Sequence, residues 1–276
     1  MTSQYLRKTA LSFLLLTILI LLFTPETAFA SDPNVATGRW FAPFNNGTPG
    51  YPAASSVVGM AVDSQQRLWI GTENNGVAMY DGFKWTPFTN ANTSGGLLSD
   101  QIYFVTAIGA SMWFGGPNGV SVYHPASNQW SHYTTADGLS TNLIRDVVVQ
   151  SNGMSVGAHY FATDGMGVLV CNLVVVQGQP IDCSTTETQA NGKLPGDTVW
   201  DMEVAGNDRW IVTSGGVVRV KSQLFPPGPE QRTIYGSGTE GCPDIDLANS
   251  ITLDYAHKRV WVSLGILVFN TIEPIS

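Results

Sequence analysis

One stretch of this chain, residues 67–80, returns in altered form along most of its length. Leu68 to Thr72 is an apolar run typical of a short strand, residues 73–75 favour a turn, and residues 76–80 predict a second strand. The glycine that opens the second strand recurs every 43 to 49 residues, at Gly76, Gly119, Gly167, Gly216 and Gly265. One β-hairpin repeated at such a period indicates a propeller or a solenoid.

Each repeat predicts four strands. An apolar strand precedes the hairpin, and an aromatic strand with more polar alternation follows it, which is the plan of a propeller blade. The first strand of the hairpin carries a tryptophan in four repeats, and Ser155 takes that place in the third repeat. We expect the tryptophans to pack between blades, because each buries a large surface; they are Trp69, Trp113, Trp210 and Trp261. The sequence therefore predicts an all-β fold, a β-propeller of four-stranded blades.

The two ends of the repeat region determine the expected number of blades. Residues 38–44 resemble an outer strand without inner strands before it, whereas the last repeat has three strands and lacks an outer one. We expect five blades, with the N-terminal strand completing the last blade, in a propeller domain that covers residues 38–276. Two alternatives are a piece of a larger ring and an open arc that assembles with another copy.

The first 30 residues have the features of a secretory signal peptide. Arg7 and Lys8 precede an apolar run over residues 11–23, and Ala28-Phe29-Ala30 forms an A-x-A cleavage site. A short linker, residues 31–37, would follow. We therefore expect a secreted, periplasmic or cell-surface protein, with an uncleaved N-terminal anchor as the alternative.

Three cysteines remain in a compartment where disulfides persist. Cys171 and Cys183 lie in one repeat, and we expect them to form a bridge across a hairpin. Pairing of Cys183 with Cys242 is the rival, and three free thiols are the third possibility, because spacing alone does not give connectivity.

Charge excludes several classes of partner. The formal net charge is −8 and only 12% of residues are charged, so the chain has no basic surface for nucleic acid or for an anionic membrane once the signal is cleaved. We found no metal-ligand spacing, no phosphate-binding loop and no nucleophile motif. The sequence thus predicts no metal, no cofactor and no catalytic set, and we expect a monomer.

The candidate binding residues lie in predicted turns. In the third repeat, His159, Tyr160 and Asp164 are expected in an extended loop between the second and third strands, where His159 and Asp164 would form a polar or general-base site. Asn74, Asn75 and Asn118 occupy the equivalent turns. An amide-rich mouth suits a carbohydrate, although asparagine is also common in tight turns.

The pattern Leu68-Trp-Ile-Gly-Thr72, followed by Gly76 and Tyr80, resembles the two-component regulator propeller repeat. Thr135-Ala-Asp-Gly-Leu-Ser-Thr-Asn142 adds to this resemblance, which is good over residues 55–142, moderate over 195–269 and poor over 143–194. The resemblance implies an exported, sensor-like module that binds a small molecule, a glycan or a protein and has no signalling domain of its own. The alternatives are a carbohydrate-active hydrolase or lyase, and a fragment of a larger two-component sensor.

Overall fold

The computed structural model describes residues 49, 51, 56–150, 157–172, 182–222, 229–236, 248–254, 259–264 and 269–271. They belong to one compact unit, residues 46–276. The predicted signal segment, the linker, the strand at residues 38–44 and Cys242 lie outside the described residues.

The described strands form five antiparallel sheets, and in each sheet the strands follow one another in chain order. The first sheet contains β1 (Val57–Val62), β2 (Leu68–Thr72), β3 (Val77–Tyr80) and β4 (Trp85–Phe88). The second contains β5 (Phe104–Ile108), β6 (Ser111–Gly116), β7 (Gly119–His124) and β8 (Gln129–Tyr133). The third contains β9 (Ile144–Gln150), β10 (Ala158–Thr163), β11 (Val168–Asn172) and β12 (Asp182–Glu187). The fourth contains β13 (Val199–Ala205), β14 (Asp208–Thr213), β15 (Gly216–Lys221) and β16 (Gln231–Tyr235).

The fifth sheet has three described strands, β17 (Ala248–Asp254), β18 (Arg259–Leu264) and β19 (Phe269–Thr271). A single turn of 3-10 helix, Thr135–Asp137, precedes β9. The described residues therefore form four complete blades and a fifth, three-stranded sheet, whereas the sequence predicted five blades with the N-terminal strand completing the last. The strand expected to complete the fifth sheet is not among the described residues.

The third blade corrects the sequence-based alignment of its repeat. Residues 153–157 were expected to form its second strand, but that strand is β10, with Tyr160 in the place of the tryptophans. The decisive feature is a threonine at the end of the strand. Thr163 Oγ1 donates to the Gly167 carbonyl at 2.7 Å and accepts from the Met166 amide at 3.1 Å.

The same threonine turn closes the hairpins of the first and fourth blades. Thr72 Oγ1 donates to the Gly76 carbonyl at 2.8 Å, and Thr213 Oγ1 donates to the Gly216 carbonyl at 2.9 Å. The side chain thus satisfies a backbone carbonyl that is buried within the turn. Because the turn is local, its threonine and glycine give the register of the third repeat, in which the tryptophan is absent.

The core lies between blades, not inside them, as expected of a propeller. Trp69 of the first blade packs with Met112 and Phe114 of the second, and Trp113 of the second packs with Phe161 of the third. Trp210 of the fourth blade is completely buried against the fifth sheet. The predicted role of these three tryptophans as inter-blade wedges is confirmed, and Trp261 is half-buried.

Two glycines on the second strands permit the close approach of neighbouring elements. A Cβ atom on Gly71 would lie 2.5 Å from Cγ2 of Val105, which belongs to the inner strand of the next blade. A Cβ atom on Gly115 would lie 1.8 Å from the Phe104 ring. Glycine is therefore required at these positions by packing, despite its entropic cost in a strand.

A disulfide joins Cys171 on β11 to Cys183 on β12, with an S–S distance of 2.00 Å. Both residues belong to the core between the second and third blades. The bridge ties the outer strand of the third blade to its neighbour.

We expect Gly71→Val to lower the free energy of unfolding by about 1–3 kcal/mol, because the added side chain would overlap Val105 and Ile102. Chemical denaturation followed by circular dichroism measures the change. Ala107→Val, at an exposed position of β5, serves as the control and should leave stability nearly unchanged. Equal stability of both variants and the parent would contradict the close-approach role.

Candidate functional site

Four of the predicted site residues lie in turns that join second and third strands. Asn74 and Asn75 are exposed in the turn between β2 and β3, and Asn118 is exposed between β6 and β7. Asp164 occupies the turn between β10 and β11. The β2–β3 turn and the β10–β11 turn share one rim, because Glu73 of the first turn and Arg145, the ion-pair partner of Asp164, line the same cavity.

The prediction for His159 and Tyr160 is wrong. They lie in β10, not in an extended loop, and both are buried. His159 and Asp164 are separated by roughly 16 Å along the strand direction, since each residue advances about 3.3 Å. They therefore do not form a shared general-base site. The error came from placing the second strand at residues 153–157.

The His159 side chain is buried between two blades, and burial lowers its pKa. Its ring stacks on Trp113 with centroids 5.7 Å apart. Burial lowers the pKa of His159, and a hydrogen bond with the Gly157 backbone opposes that effect only in part. The side chain is therefore a packed core residue between the second and third blades.

Tyr160 takes part in a buried ionic cluster between the third and fourth blades. Arg209 has no exposed side-chain surface, and its guanidinium lies 3.6 Å from the centre of the Tyr160 ring. The guanidinium also donates to Glu187 at 2.8 Å, and Arg232 donates to the same carboxylate at 2.7 Å. Burial raises the pKa of Glu187, but the charges of Arg209 and Arg232 outweigh burial and hold it below its ordinary value. This cluster is structural.

A different set of residues lines the centre of the propeller. The inner strands of four sheets contain a register shift near their first residues, and the residue at the shift has no regular partner. A β-bulge of this kind re-aims a side chain. The equivalent position in β5 directly precedes the strand. These positions all line one central cavity and are Val58, Tyr103, Arg145, Trp200 and Asn249.

Three of these residues form what we name the mouth platform: Tyr103, Arg145 and Trp200. The Arg145 guanidinium lies over the Trp200 ring at 4.3 Å and over the Tyr103 ring at 5.6 Å. Asp164 holds it there through an ion pair of 2.6 Å. Cation–π contacts and the ion pair fix the three side chains in one arrangement. Asp164 thus belongs to the rim, as predicted, but with Arg145 as its partner.

Two connected cavities open at this platform. The mouth cavity, of about 310 Å³, is lined by the platform together with Val58, Glu73, Gln101 and Ile102. The channel cavity, of about 420 Å³, continues along the inner strands and reaches Asp146, Asp201 and Ser250. Both volumes lie in the range of small-molecule sites.

Carboxylates in the channel connect the inner strands of three consecutive sheets. Asp146 on β9 accepts a hydrogen bond from the Met202 amide of β13 at 3.0 Å. Asp201 on β13 accepts from the Ile251 amide of β17 at 2.8 Å, and from Ser250 Oγ at 2.7 Å. Burial raises the pKa of Asp146, and the adjacent Asp201 carboxylate raises it further. Burial also raises the pKa of Asp201.

Glu203 adds a third titrating carboxyl group on the same strand as Asp201. Burial raises the pKa of Glu203 to about 7, and the negative charge of Asp201 contributes in the same direction. The charge of this carboxyl group therefore changes near neutral pH. Among the described residues, no group of three or more histidine, cysteine, aspartate or glutamate side chains has the arrangement of a metal site.

The mouth platform was not predicted from the sequence, because the inner strands were interpreted only as packing elements. A signal is present in the aligned repeats. Ile102, Ile144 and Val199 are apolar and buried, whereas the residue after each of them is Tyr103, Arg145 or Trp200. A position whose chemistry varies beside an apolar position is typical of a lining residue on a common scaffold.

Comparison with known proteins identifies the repeat. Residues 51–74 match the family described as two component regulator propeller. Residues 51–74 therefore carry the two-component regulator propeller repeat. The resemblance predicted from the sequence is thereby confirmed. Among curated proteins, no relative matches this chain.

Solved structures confirm the β-propeller fold. The extracellular domain of BT3049 from B. thetaiotaomicron, assigned to a hybrid two component system, matches with a TM-score of 0.62 and 21% identity, over 77% of this chain and 27% of that chain. The extracellular domain of BT4673 from the same organism matches with a TM-score of 0.55 and 18% identity, over 75% of this chain and 26% of that chain. PorZ, a surface component of the type-IX secretion system of Porphyromonas gingivalis, matches with a TM-score of 0.53 and 16% identity. The match covers 74% of this chain and 30% of that chain.

This propeller chain spans less than a third of the length of each of these structures. The similarity at this level of identity concerns the fold. Among the described residues, no helix has the length and apolar character needed to cross a membrane.

We expect the raised pKa of Glu203 to make stability depend on pH. The folded chain binds this proton more tightly than the unfolded chain, whose glutamates titrate near 4.5. The free energy of unfolding should therefore fall as the pH rises from about 4.5 to about 7, and level off above that. Glu203→Gln should make this decline shallower. Asp146 and Asp201 should still contribute to the remaining pH dependence. Denaturation curves across this range measure it.

Glu73→Gln, which changes an exposed carboxylate at the rim, is the matched control and should leave the profile as in the parent. Parallel profiles for the parent and Glu203→Gln would show that the carboxyl group of Glu203 is not perturbed by folding.

Proposed function

We propose that this chain is an exported, sensor-like binding module that holds its ligand at the mouth platform. The observation that carries the proposal is the arrangement of Tyr103, Arg145 and Trp200 at two connected cavities. Relatives of the fold include extracellular domains assigned to hybrid two component systems, which agrees with a sensor-like role.

The platform is organised before any ligand arrives. Asp164 fixes the Arg145 guanidinium, which in turn lies over Trp200 and Tyr103. A site whose side chains are already ordered loses less conformational entropy on binding. Trp200 keeps 36% of its surface exposed, so part of an aromatic ring remains available at the mouth.

The ligand class that fits this mouth best is a glycan. Carbohydrate rings have apolar faces that stack on aromatic side chains and hydroxyl groups that need hydrogen-bonding partners. Trp200 and Tyr103 supply the first, and Gln101 with the exposed turn residues Asn74 and Asn75 supplies the second. The charge of Arg145 is balanced by Asp164, which favours a neutral ligand over a strongly anionic one.

Export is part of the same proposal. The positive N-terminal start, the apolar run and the A-x-A site of residues 1–30 would direct the chain to the periplasm, the cell surface or the medium. The bridge between Cys171 and Cys183 agrees with an oxidising compartment. That the chain is part of a larger sensor remains an alternative prediction.

The hydrolase or lyase alternative has lost the residues on which it rested. His159 is buried in β10 and lies far from Asp164. The channel carboxyl groups Asp146 and Asp201 are engaged by backbone amides of the next strand. No observation in the described part of the chain therefore favours an enzymatic role over binding.

We expect Trp200→Ala to weaken binding of a neutral oligosaccharide by about tenfold or more, because a central aromatic anchor is removed. Trp200→Phe, which keeps a ring, should lose less. A glycan array with gluco-, manno- and galacto-configured oligosaccharides finds the ligand, and isothermal titration calorimetry measures its affinity. Thermal melting confirms that each variant is folded.

Phe83→Ala is the matched control. Phe83 is 96% exposed in the turn between β3 and β4, at the rim opposite the mouth, so its removal should leave affinity unchanged. Binding that is insensitive to both Trp200 variants would move the site away from the platform. A chain that binds peptides and no glycan would overturn the proposed ligand class.

A further inference from the structure

Every pair of neighbouring blades packs in the same sense. One blade presents the face that we name forward, and the next blade covers it with the face that we name back. On the inner strands, the back-face position is almost completely buried at Val105, Val147, Met202 and Ile251, whose exposures are 8%, 2%, 2% and 4%. The equivalent residue of the first blade is Met60, and it is 67% exposed.

The exposure of Met60 belongs to a continuous apolar strip along β1. Val58 is 39% exposed and Val62 is 53% exposed on the same strand. Scattered apolar residues are common on protein surfaces, but the position of Met60 is buried at the other four inner strands, whereas the positions of Val58 and Val62 are half-buried or exposed there. The back face of β1 therefore has the composition of an inter-blade interface.

A complementary exposed face lies on the fifth sheet, at the other end of the series of five sheets. The forward face of β17 carries Ser250 and Thr252, and both are exposed. Ser250 is equivalent to Asp146 and Asp201, as their common register with the second strands shows. At those two positions the side chain accepts a backbone amide from the next inner strand.

The hydrogen bond that repeats between neighbouring inner strands predicts how β17 would contact β1. Asp146 accepts from the amide of Met202, and Asp201 accepts from the amide of Ile251. Met60 is the residue of β1 that is equivalent to Met202 and Ile251. A β17 strand placed against β1 would therefore bring Ser250 Oγ, which donates its proton to Asp201, to the amide of Met60 as an acceptor and would cover Met60.

The two open faces do not meet within one chain. Among the described inner strands, β1 packs on β5, β5 on β9, β9 on β13 and β13 on β17, whereas β17 makes no comparable contact with β1. We infer that the back face of β1 binds the fifth sheet of a second copy of this chain. The contact is heterologous, so it joins copies head to tail. It goes beyond the proposed ligand site, although Val58, Met60 and Ser250 also line the channel cavity.

Complementary single-cysteine variants test this inference in the full chain. Cys242→Ser is introduced in every sample, so that the bridged Cys171 and Cys183 are the other cysteines. One sample carries Met60→Cys and another carries Ser250→Cys, and the two are mixed with a short bismaleimide cross-linker. We expect a covalent dimer in the mixture, at a yield that rises with protein concentration, and far less in either sample alone.

Ile234→Cys is the control for Met60→Cys, since Ile234 is a comparably exposed apolar residue, at 46%, on the outer strand β16. Its mixture with Ser250→Cys should give no dimer above background. The double variant with both Met60→Cys and Ser250→Cys tests closure within one chain. A cross-linked monomer that forms at every dilution would overturn the inference in favour of a closed ring.

Light scattering on the Cys242→Ser variant, which is the parent of all these samples, provides a second measurement. We expect its average mass to increase with concentration, and Met60→Glu to shift that increase at least tenfold higher in concentration. Ile234→Glu should behave as the parent. A mass that stays at one chain over the whole accessible range would also overturn head-to-tail association.

Discussion

The structure depends on one constraint, which is that no sheet of this chain can bury its apolar residues alone. In β6, Met112 packs toward the first blade and the adjacent Trp113 packs toward the third. Each blade therefore needs neighbours on both faces, which explains why the sequence repeats one blade-sized unit. Gly71 lets the second blade approach the first closely, and Gly115 leaves room for the Phe104 ring within its own blade.

The candidate site arises where the inner strands depart from regular pairing. A bulge near the start of the strand releases one side chain from the inter-blade core, while the preceding residue, Ile144 or Val199, stays in it. Arg145 and Trp200 gain access to the channel in this way, while Asp146 and Asp201 remain tied to the amides of the following strand. The scaffold stays constant, and one position in each repeat is free to vary in chemistry.

Much of the fold could be predicted because its signals are local. The alternation of apolar runs with glycine-containing turns gave the strands, and the recurrence of Gly76 and its equivalents gave the blades. The third repeat failed because Tyr160 replaces tryptophan there, so the alignment slipped and His159 was assigned to a loop. The threonine turn at Thr163 contained the correct register, but its value became evident only from its hydrogen bonds.

The sequence by itself determined the all-β propeller plan, the family resemblance and the buried role of Trp69, Trp113 and Trp210, because these follow from periodicity and from side-chain size. Only the tertiary structure decided that Tyr103, Arg145 and Trp200 meet at one mouth and that Tyr160 stacks on a buried arginine. These residues are more than 40 positions apart in the chain, from Tyr103 to Arg145 and from Arg145 to Trp200. Their encounter depends on how successive blades are rotated about a common channel, and no local pattern encodes that rotation.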